Sequence, residues 1–186
     1  LVFATPFNRL FLIYEAAFAL TLFTAILALV RLDAGAIAER IGRLPFRGLA
    51  VYGWVVIVLN VLAWLRSVGP ATLAEDPTSF LQGTGVATNP VIAEDFAFWL
   101  PGAAVVAWLL WHRRPTGIVL FGAWLVYGLI ESIGVAVDQT MGYLADPVAA
   151  AAAPAGVAIF LALAAVGLVP LFVYLRPRPP QEEPRR

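Results

Sequence analysis

The stretch that decides the fold runs from Thr116 to Val137 and reads TGIVLFGAWLVYGLIESIGVAV. A helix rises about 1.5 Å per residue, so this run is long enough to cross the roughly 30 Å hydrocarbon core of a bilayer. One ionisable side chain, Glu131, interrupts it. An ionised carboxylate at membrane depth is costly unless it faces protein or water. The run therefore predicts a transmembrane helix and makes Glu131 a candidate functional residue.

Apolar runs of similar length predict five spans in all. They are Leu10 to Val30, Gly48 to Leu65, Val91 to Trp111, Thr116 to Val137 and Gly156 to Leu175. The composition agrees, because a chain with 61% hydrophobic and 13% charged residues exceeds what a small soluble core can bury. We predict an all-α, polytopic transmembrane helical bundle that forms one domain over residues 1–175. Residues 176–186 are rich in proline and charge and predict a disordered tail.

Local signals define parts of the third span and the first connection. Asn89 is the expected N-cap of the third span, with Pro90 at its first helical position. Pro101 removes a backbone donor inside that span, which predicts a kink. Residues Ile37, Ile41 and Leu44 repeat at i, i+4 and i+7, and this spacing predicts a short helix on the inner membrane surface. An ordinary solvated connector is the alternative for that segment.

The arginines are distributed unevenly between the two sides of the predicted bundle. Loops on the cytoplasmic side carry the positive excess, and one side holds Arg31, Arg40, Arg43, Arg47, Arg113, Arg114, Arg176, Arg178, Arg185 and Arg186. Arg9 and Arg66 fall on the other side. We therefore expect the N-terminus outside and the C-terminus inside, with the loops over residues 67–89 and 138–155 facing out.

With that orientation, four spans place a polar group in one layer of the outer leaflet, at roughly 8 to 9 Å of depth. The candidate binding residues of this layer are Glu15, Asn60, Asp95 and Glu131, with Arg9 and Arg66 at its rim. We expect Glu15, Asn60 and Glu131 to face one shared interior space, since exposure to lipid would cost several kcal/mol.

The small residues near Glu131 bear on its role. Gly128 and Gly134 lie three residues to either side of it, and Gly53 lies seven residues before Asn60. Small residues let helices approach closely, so these stripes predict that both polar groups face the bundle. Structural hydrogen bonding by protonated carboxyls is the alternative to a binding site. For Asp95 the alternative to a binding role is that the helix dipole favours an acidic residue in the first helical turn.

Missing residue types exclude many membrane chemistries. The chain has no cysteine and no lysine, which excludes thiolate metal sites and a retinal Schiff base. One histidine and one methionine are too few for a bis-ligated haem, and His112 sits among arginines and tryptophans typical of a membrane boundary. We expect no cofactor, no metal site, no catalytic residue and no nucleic-acid partner.

The segment Thr84 to Leu120 reads TGVATNPVIAEDFAFWLPGAAVVAWLLWHRRPTGIVL, and residues 5–20 read TPFNRLFLIYEAAFAL. The longer segment combines an Asn-Pro start, an acid, a Leu-Pro pair and an Arg-Arg-Pro-x-Gly turn, at Asn89, Pro90, Asp95, Leu100, Pro101, Arg113, Arg114, Pro115 and Gly117. This pattern resembles a group of uncharacterised bacterial multi-pass membrane proteins. The resemblance implies a multi-pass architecture in the bacterial cytoplasmic membrane and brings no activity, substrate or cofactor.

Three functions fit these features. The first is a non-catalytic accessory or scaffold subunit of a larger membrane assembly, whose partners are membrane lipids and other membrane protein subunits. The second is a small binding or transport protein whose outward acidic layer takes a cation, an amine or a lipid headgroup. The third is a lipid-modifying enzyme using Glu15, Asp95 or Glu131 as acid and base, for which no nucleophile–base pairing is visible.

The orientation is testable because the chain contains no cysteine. A single cysteine at Ser79 should react with a membrane-impermeant maleimide applied from outside, whereas one at Gly35 should not. Labelling after permeabilisation controls for the reactivity of each position. Labelling of Gly35 and not Ser79 in intact cells would reverse the orientation.

Overall fold

The computed structural model describes residues 9–42, 44–82, 88–147 and 154–176. All regular structure in these ranges is helical. The helices are α1 (Phe11–Arg31), α2 (Ala34–Ile41), α3 (Phe46–Thr72), a 3-10 helix (Pro77–Leu81), α4 (Pro90–Glu94), a π segment (Asp95–Trp99), α5 (Leu100–Trp111), α6 (Pro115–Ala145) and α7 (Pro154–Leu175). Five helical stretches within these ranges are long and apolar enough to cross a membrane, the third being α4, the π segment and α5 together. The predicted transmembrane helical bundle is confirmed.

Two helices extend well beyond their predicted ends. Helix α3 continues past Leu65 to Thr72 and α6 past Val137 to Ala145. Hydropathy marks where a chain leaves an apolar solvent, whereas a helix ends where its backbone hydrogen bonds end. The polar residues after each apolar run are compatible with helix, so both helices continue. Apart from Arg176, the predicted tail lies outside the described residues.

The third span begins as predicted. The Asn89 side chain accepts hydrogen bonds from the backbone N–H groups of Val91 and Ile92 at 3.1 and 3.2 Å, and Pro90 occupies the first turn. Just before Pro101, where a kink is predicted, the chain forms the π segment, in which the Leu100 N–H bonds to the Asp95 carbonyl. Because proline lacks an N–H and its ring clashes with the carbonyl four residues earlier, a wider turn there relieves the conflict.

The predicted short helix after the first span is α2. Asp33 caps it by accepting a hydrogen bond from the Ala36 N–H at 3.0 Å. Ala38 and Ile41 pack against the main core, and Leu44, just beyond the helix, is buried. Helix α2 thereby lies against the first turns of α6. Its apolar face covers protein, so the segment is a packed element rather than a solvated connector.

Close approach between helices holds α6 at the centre of the bundle. A Cβ atom on Gly117 would lie 2.5 Å from the Leu109 carbonyl carbon, and one on Gly122 would lie 2.5 Å from the Tyr174 hydroxyl. That hydroxyl donates a hydrogen bond of 2.8 Å to the Ile118 carbonyl. Van der Waals packing and interhelical hydrogen bonds are what drive helix association in lipid. Helix α6 therefore packs tightly against both α5 and α7.

Helix α1 does not share in this packing. It buries no residue against the rest of the described chain, although its composition is as apolar as that of the other spans. The compact part of the molecule is formed by α3, α4, the π segment, α5, α6 and α7, with α2 on its side. Four of the five spans thus form one packed group, and α1 has only partly buried residues, at Phe11, Glu15 and Ala19.

Two glycines of α6 allow a matched test of this packing. Gly117→Ala should lower the melting temperature of the purified protein, because overpacking against the Leu109 backbone costs about 1 to 3 kcal/mol. Gly128→Ala should leave it unchanged or raise it, because nothing lies within 4 Å of the added Cβ and alanine favours a helix. Equal melting temperatures for the two variants would contradict the close α5–α6 contact.

Candidate functional site

A side-chain hydrogen bond links the third span to α3. The indole Nε1 of Trp64 donates to Oδ2 of Asp95 at 2.6 Å. Asp95 is the first residue of the π segment, and both side chains are partly buried. Hydrogen bonds to a carboxylate are stronger than those between neutral groups, and a low-dielectric surrounding strengthens them further. Asp95 thus acts as an acceptor between two helices.

Aromatic side chains surround this pair. The rings of Trp99 and Trp124 lie 6.0 Å apart, and those of Trp99 and Tyr127 lie 6.2 Å apart. Trp124 also contacts Phe121, at 5.3 Å, and Tyr52, at 6.2 Å. It packs against both core clusters, and so joins the two halves of the bundle. Among the described residues, its buried Nε1 has no hydrogen-bond partner.

Acidic residues of two spans lie near Tyr127. Its ring is 6.2 Å from that of Trp99, which lies one turn after Asp95 on the third span. Glu131 lies one turn after Tyr127 on the same helix and is exposed. The structure therefore brings Asp95 and Glu131 into one acidic and aromatic cluster, formed by Trp64, Glu94, Asp95, Trp99, Trp124, Tyr127 and Glu131.

The expected interior position of Glu131 is not found within the described chain. A Cβ atom on Gly128 or Gly134 would meet nothing within 4 Å, so no described helix packs on the stripe that flanks Glu131. Gly53 does pack as expected, since its Cβ would lie 3.0 Å from the Phe121 ring. The close contacts of α6 involve Gly117 and Gly122 instead. Gly117 lies on nearly the same face as Gly128 but three turns closer to the start of the helix, so the packed part of this face is near that start.

The other two predicted residues, Asn60 and Glu15, are not members of this cluster. Asn60 is partly buried on α3, one turn before Trp64, and so remains near the layer. Glu15 lies on α1, which buries nothing against the other spans, and the structure does not bring it to the cluster. Of the four predicted residues, the structure therefore brings Asp95 and Glu131 near each other, and the polar layer as a whole stays a prediction. In the described ranges, no group of three or more His, Asp or Glu side chains is arranged to hold a metal ion.

Sequence reasoning missed the residues that organise the site. Trp64 and Trp99 were apolar members of predicted spans, with no signal that either would donate to or pack around an acid. The π segment was the feature that sequence could have indicated, because Pro101 lies six residues after Asp95. A widened turn before a proline changes which side chains face the neighbouring helix.

Comparisons with protein-family models, with curated proteins and with solved structures found no match. The resemblance of the third span to a group of bacterial membrane proteins stays a prediction.

The Trp64–Asp95 hydrogen bond gives a stability prediction. Trp64→Phe removes the donor and leaves the Asp95 carboxylate without this partner, which should destabilise the protein by about 1 to 3 kcal/mol. Trp54→Phe is the matched control, because Trp54 lies on the same helix and is 36% exposed. Thermal unfolding followed by circular dichroism measures both. Equal losses in the two variants would show that the hydrogen bond does not contribute.

Proposed function

We propose that this chain is a non-catalytic accessory or scaffold subunit of a larger assembly in the bacterial cytoplasmic membrane, and that α1 is its principal contact with a partner subunit. The observation that carries the proposal is Glu15. It lies about 6 Å from the start of a helix of some 31 Å, at 1.5 Å per residue. A carboxylate at that depth is costly when it faces lipid and is normally covered by protein.

The rest of the described chain provides only part of that cover, because Glu15 is partly buried and α1 has no buried residue. A helix of a partner subunit would supply both the covering surface and a polar partner for the carboxyl group. Apolar exposure alone would not support this argument, since lipid solvates an apolar helix well. The ionisable residue is what distinguishes α1 from an ordinary lipid-facing span.

Another face of α1 is suited to close helix contact. Ala17, Thr21, Ala25 and Ala28 follow one another at intervals of three or four residues, and all are exposed. The side chains on this face are small, and the one hydroxyl among them is satisfied, because Thr21 donates a hydrogen bond to the Ala17 carbonyl at 2.7 Å. Small residues at such intervals permit close backbone approach between membrane helices.

The acidic and aromatic cluster supports the accessory role more than a transport role. Asp95 already accepts a hydrogen bond from Trp64, which accounts for its position by structure alone. The open stripe of Gly128, Glu131 and Gly134 is a second place where a partner helix would cover an ionisable side chain. The exposed Glu131 and the partly covered Glu15 are thus explained by one arrangement, in which helices of other subunits pack on α1 and on α6.

Site-specific photocrosslinking in native membranes tests the proposal. A photoreactive residue at Leu22, an exposed position two turns after Glu15 on the same face of α1, should yield a discrete adduct heavier than the 20.0 kDa chain, and one at Val58, an exposed position on α3, should not. Glu15→Leu should abolish the adduct because the partner loses its polar contact. The same substitution should not change the melting temperature of the isolated chain, since α1 contributes no buried residue.

Two results would contradict the accessory role. An adduct at twice the mass of the chain would identify a homo-oligomer. Lipid adducts alone at both positions, with the mildly extracted protein running at its own mass, would remove the partner subunit. If a cation or amine then raised the melting temperature of the native chain but not that of Glu131→Gln, the alternative of a small binding or transport protein would be favoured. The ligand stabilises the folded state by binding to it, and this binding would be lost with the charge.

A further inference from the structure

A shallow groove opens at the arginine-rich end of the bundle, where α2 passes the first turns of α3 and α6. Its volume is about 340 Å³, and its walls include Ala38, Gly42, Phe46, Pro115 and Ile118. Phe46 and Pro115 are the first residues of their helices, so the groove lies at the level where these two spans begin. Ile118 lies about 4.5 Å deeper along α6. The groove thus runs from the membrane boundary toward the apolar layer.

Arginines flank this apolar groove. The Arg113 guanidinium lies over the Phe46 ring, 5.6 Å from its centre, so a cation is held beside the groove wall. Arg114 is the N-cap of α6 and immediately precedes Pro115. Arg40 and Arg47 are exposed on α2 and α3, next in sequence to wall residues of the groove. The one acidic residue among the described lining residues is Glu39.

The turn that carries these arginines is conformationally unusual. Arg113 has φ 55, the left-handed region, which a side chain with a Cβ rarely adopts. The Arg113 and Arg114 N–H groups bond back to Leu110 and Leu109, both at 2.9 Å, which closes α5 and holds the turn in place. Strained residues of this kind persist where surrounding structure determines them, and they are frequent at ligand clamps.

We propose that this groove holds one anionic phospholipid, with the upper part of its acyl chains against Phe46 and Ile118 and its phosphate between Arg113 and Arg114. An apolar wall that meets a cationic rim at headgroup level matches a molecule with an anionic head and an apolar body. A soluble anion would use the arginines and leave the apolar wall without a partner. The proposal depends neither on the accessory role nor on which leaflet faces the cytoplasm.

Lipid titration of the full purified chain in neutral detergent tests the proposal. Phosphatidylglycerol should raise the melting temperature and give a one-to-one adduct in native mass spectrometry, whereas phosphatidylcholine with the same acyl chains should do neither. Arg113→Gln with Arg114→Gln should weaken phosphatidylglycerol binding about 25-fold, or about fivefold for each arginine removed. Arg66→Gln removes a charge at the opposite end of α3 and should leave binding unchanged.

Other variants separate the sources of binding energy. Arg114→Gln alone should weaken phosphatidylglycerol binding about fivefold. Because Arg114 is exposed and its side chain does not cap α6, this variant should fold and can be measured even where the double variant fails to fold. Glu39→Gln should retain or strengthen binding. Glycerol phosphate should give no protection. Protection by glycerol phosphate equal to that by the lipid, equal affinity for both lipids, or an equal loss in Arg66→Gln and Arg114→Gln would overturn the proposal.

Discussion

The hydrogen bond from the Tyr174 hydroxyl to the Ile118 carbonyl is the contact on which the bundle most depends. Gly122 lies one turn after Ile118, and its missing side chain leaves that carbonyl open to a group from α7. Lipid is as apolar as leucine, so burial of apolar surface does not by itself bring membrane helices together. Close packing and satisfied polar groups must do so. Helix α6, which packs on α2, α5 and α7, is where both conditions are met.

The same requirement separates the ionisable residues of the spans into two kinds. Asp95 has its partner in the chain, because Trp64 donates to it from α3. Glu131 is exposed and the glycines beside it are open, and Glu15 is only partly buried on α1, which has no buried residue. A carboxylate in an otherwise apolar span is satisfied by protein or by water, and the free energy of an incompletely covered one favours association. These two carboxylates are therefore the chemical basis for proposing an assembly.

Sequence was sufficient for the number of spans, for the Asn89 cap and for the helix after the first span, because each depends on local composition or on a few adjacent residues. It could not give the part of α6 that is packed. Gly117 and Gly128 lie three helical turns apart and share a face, yet of the two only Gly117 packs, because Leu109 of α5 lies against it. The π segment before Pro101 changed the facing of the third span in a way that regular helical periodicity does not describe. Contacts between helices, which local sequence patterns do not describe, therefore determine which residues of these spans are packed.

The length of α6 connects the two ends of the molecule. Its residues from Pro115 to Ala145 span about 46 Å at 1.5 Å per residue, against a hydrocarbon thickness of about 30 Å. Arg113 and Arg114 precede it directly, and arginine prefers the headgroup level, so the helix begins at one boundary. The excess length then extends beyond the opposite boundary or is absorbed by tilt. Asp138 and Gln139 lie in that excess, which places a polar helical extension at the same end as the acidic and aromatic cluster. A lipid bound beside Arg113 and Arg114 would fix the depth of α6, and with it the level at which Glu131 meets its surroundings.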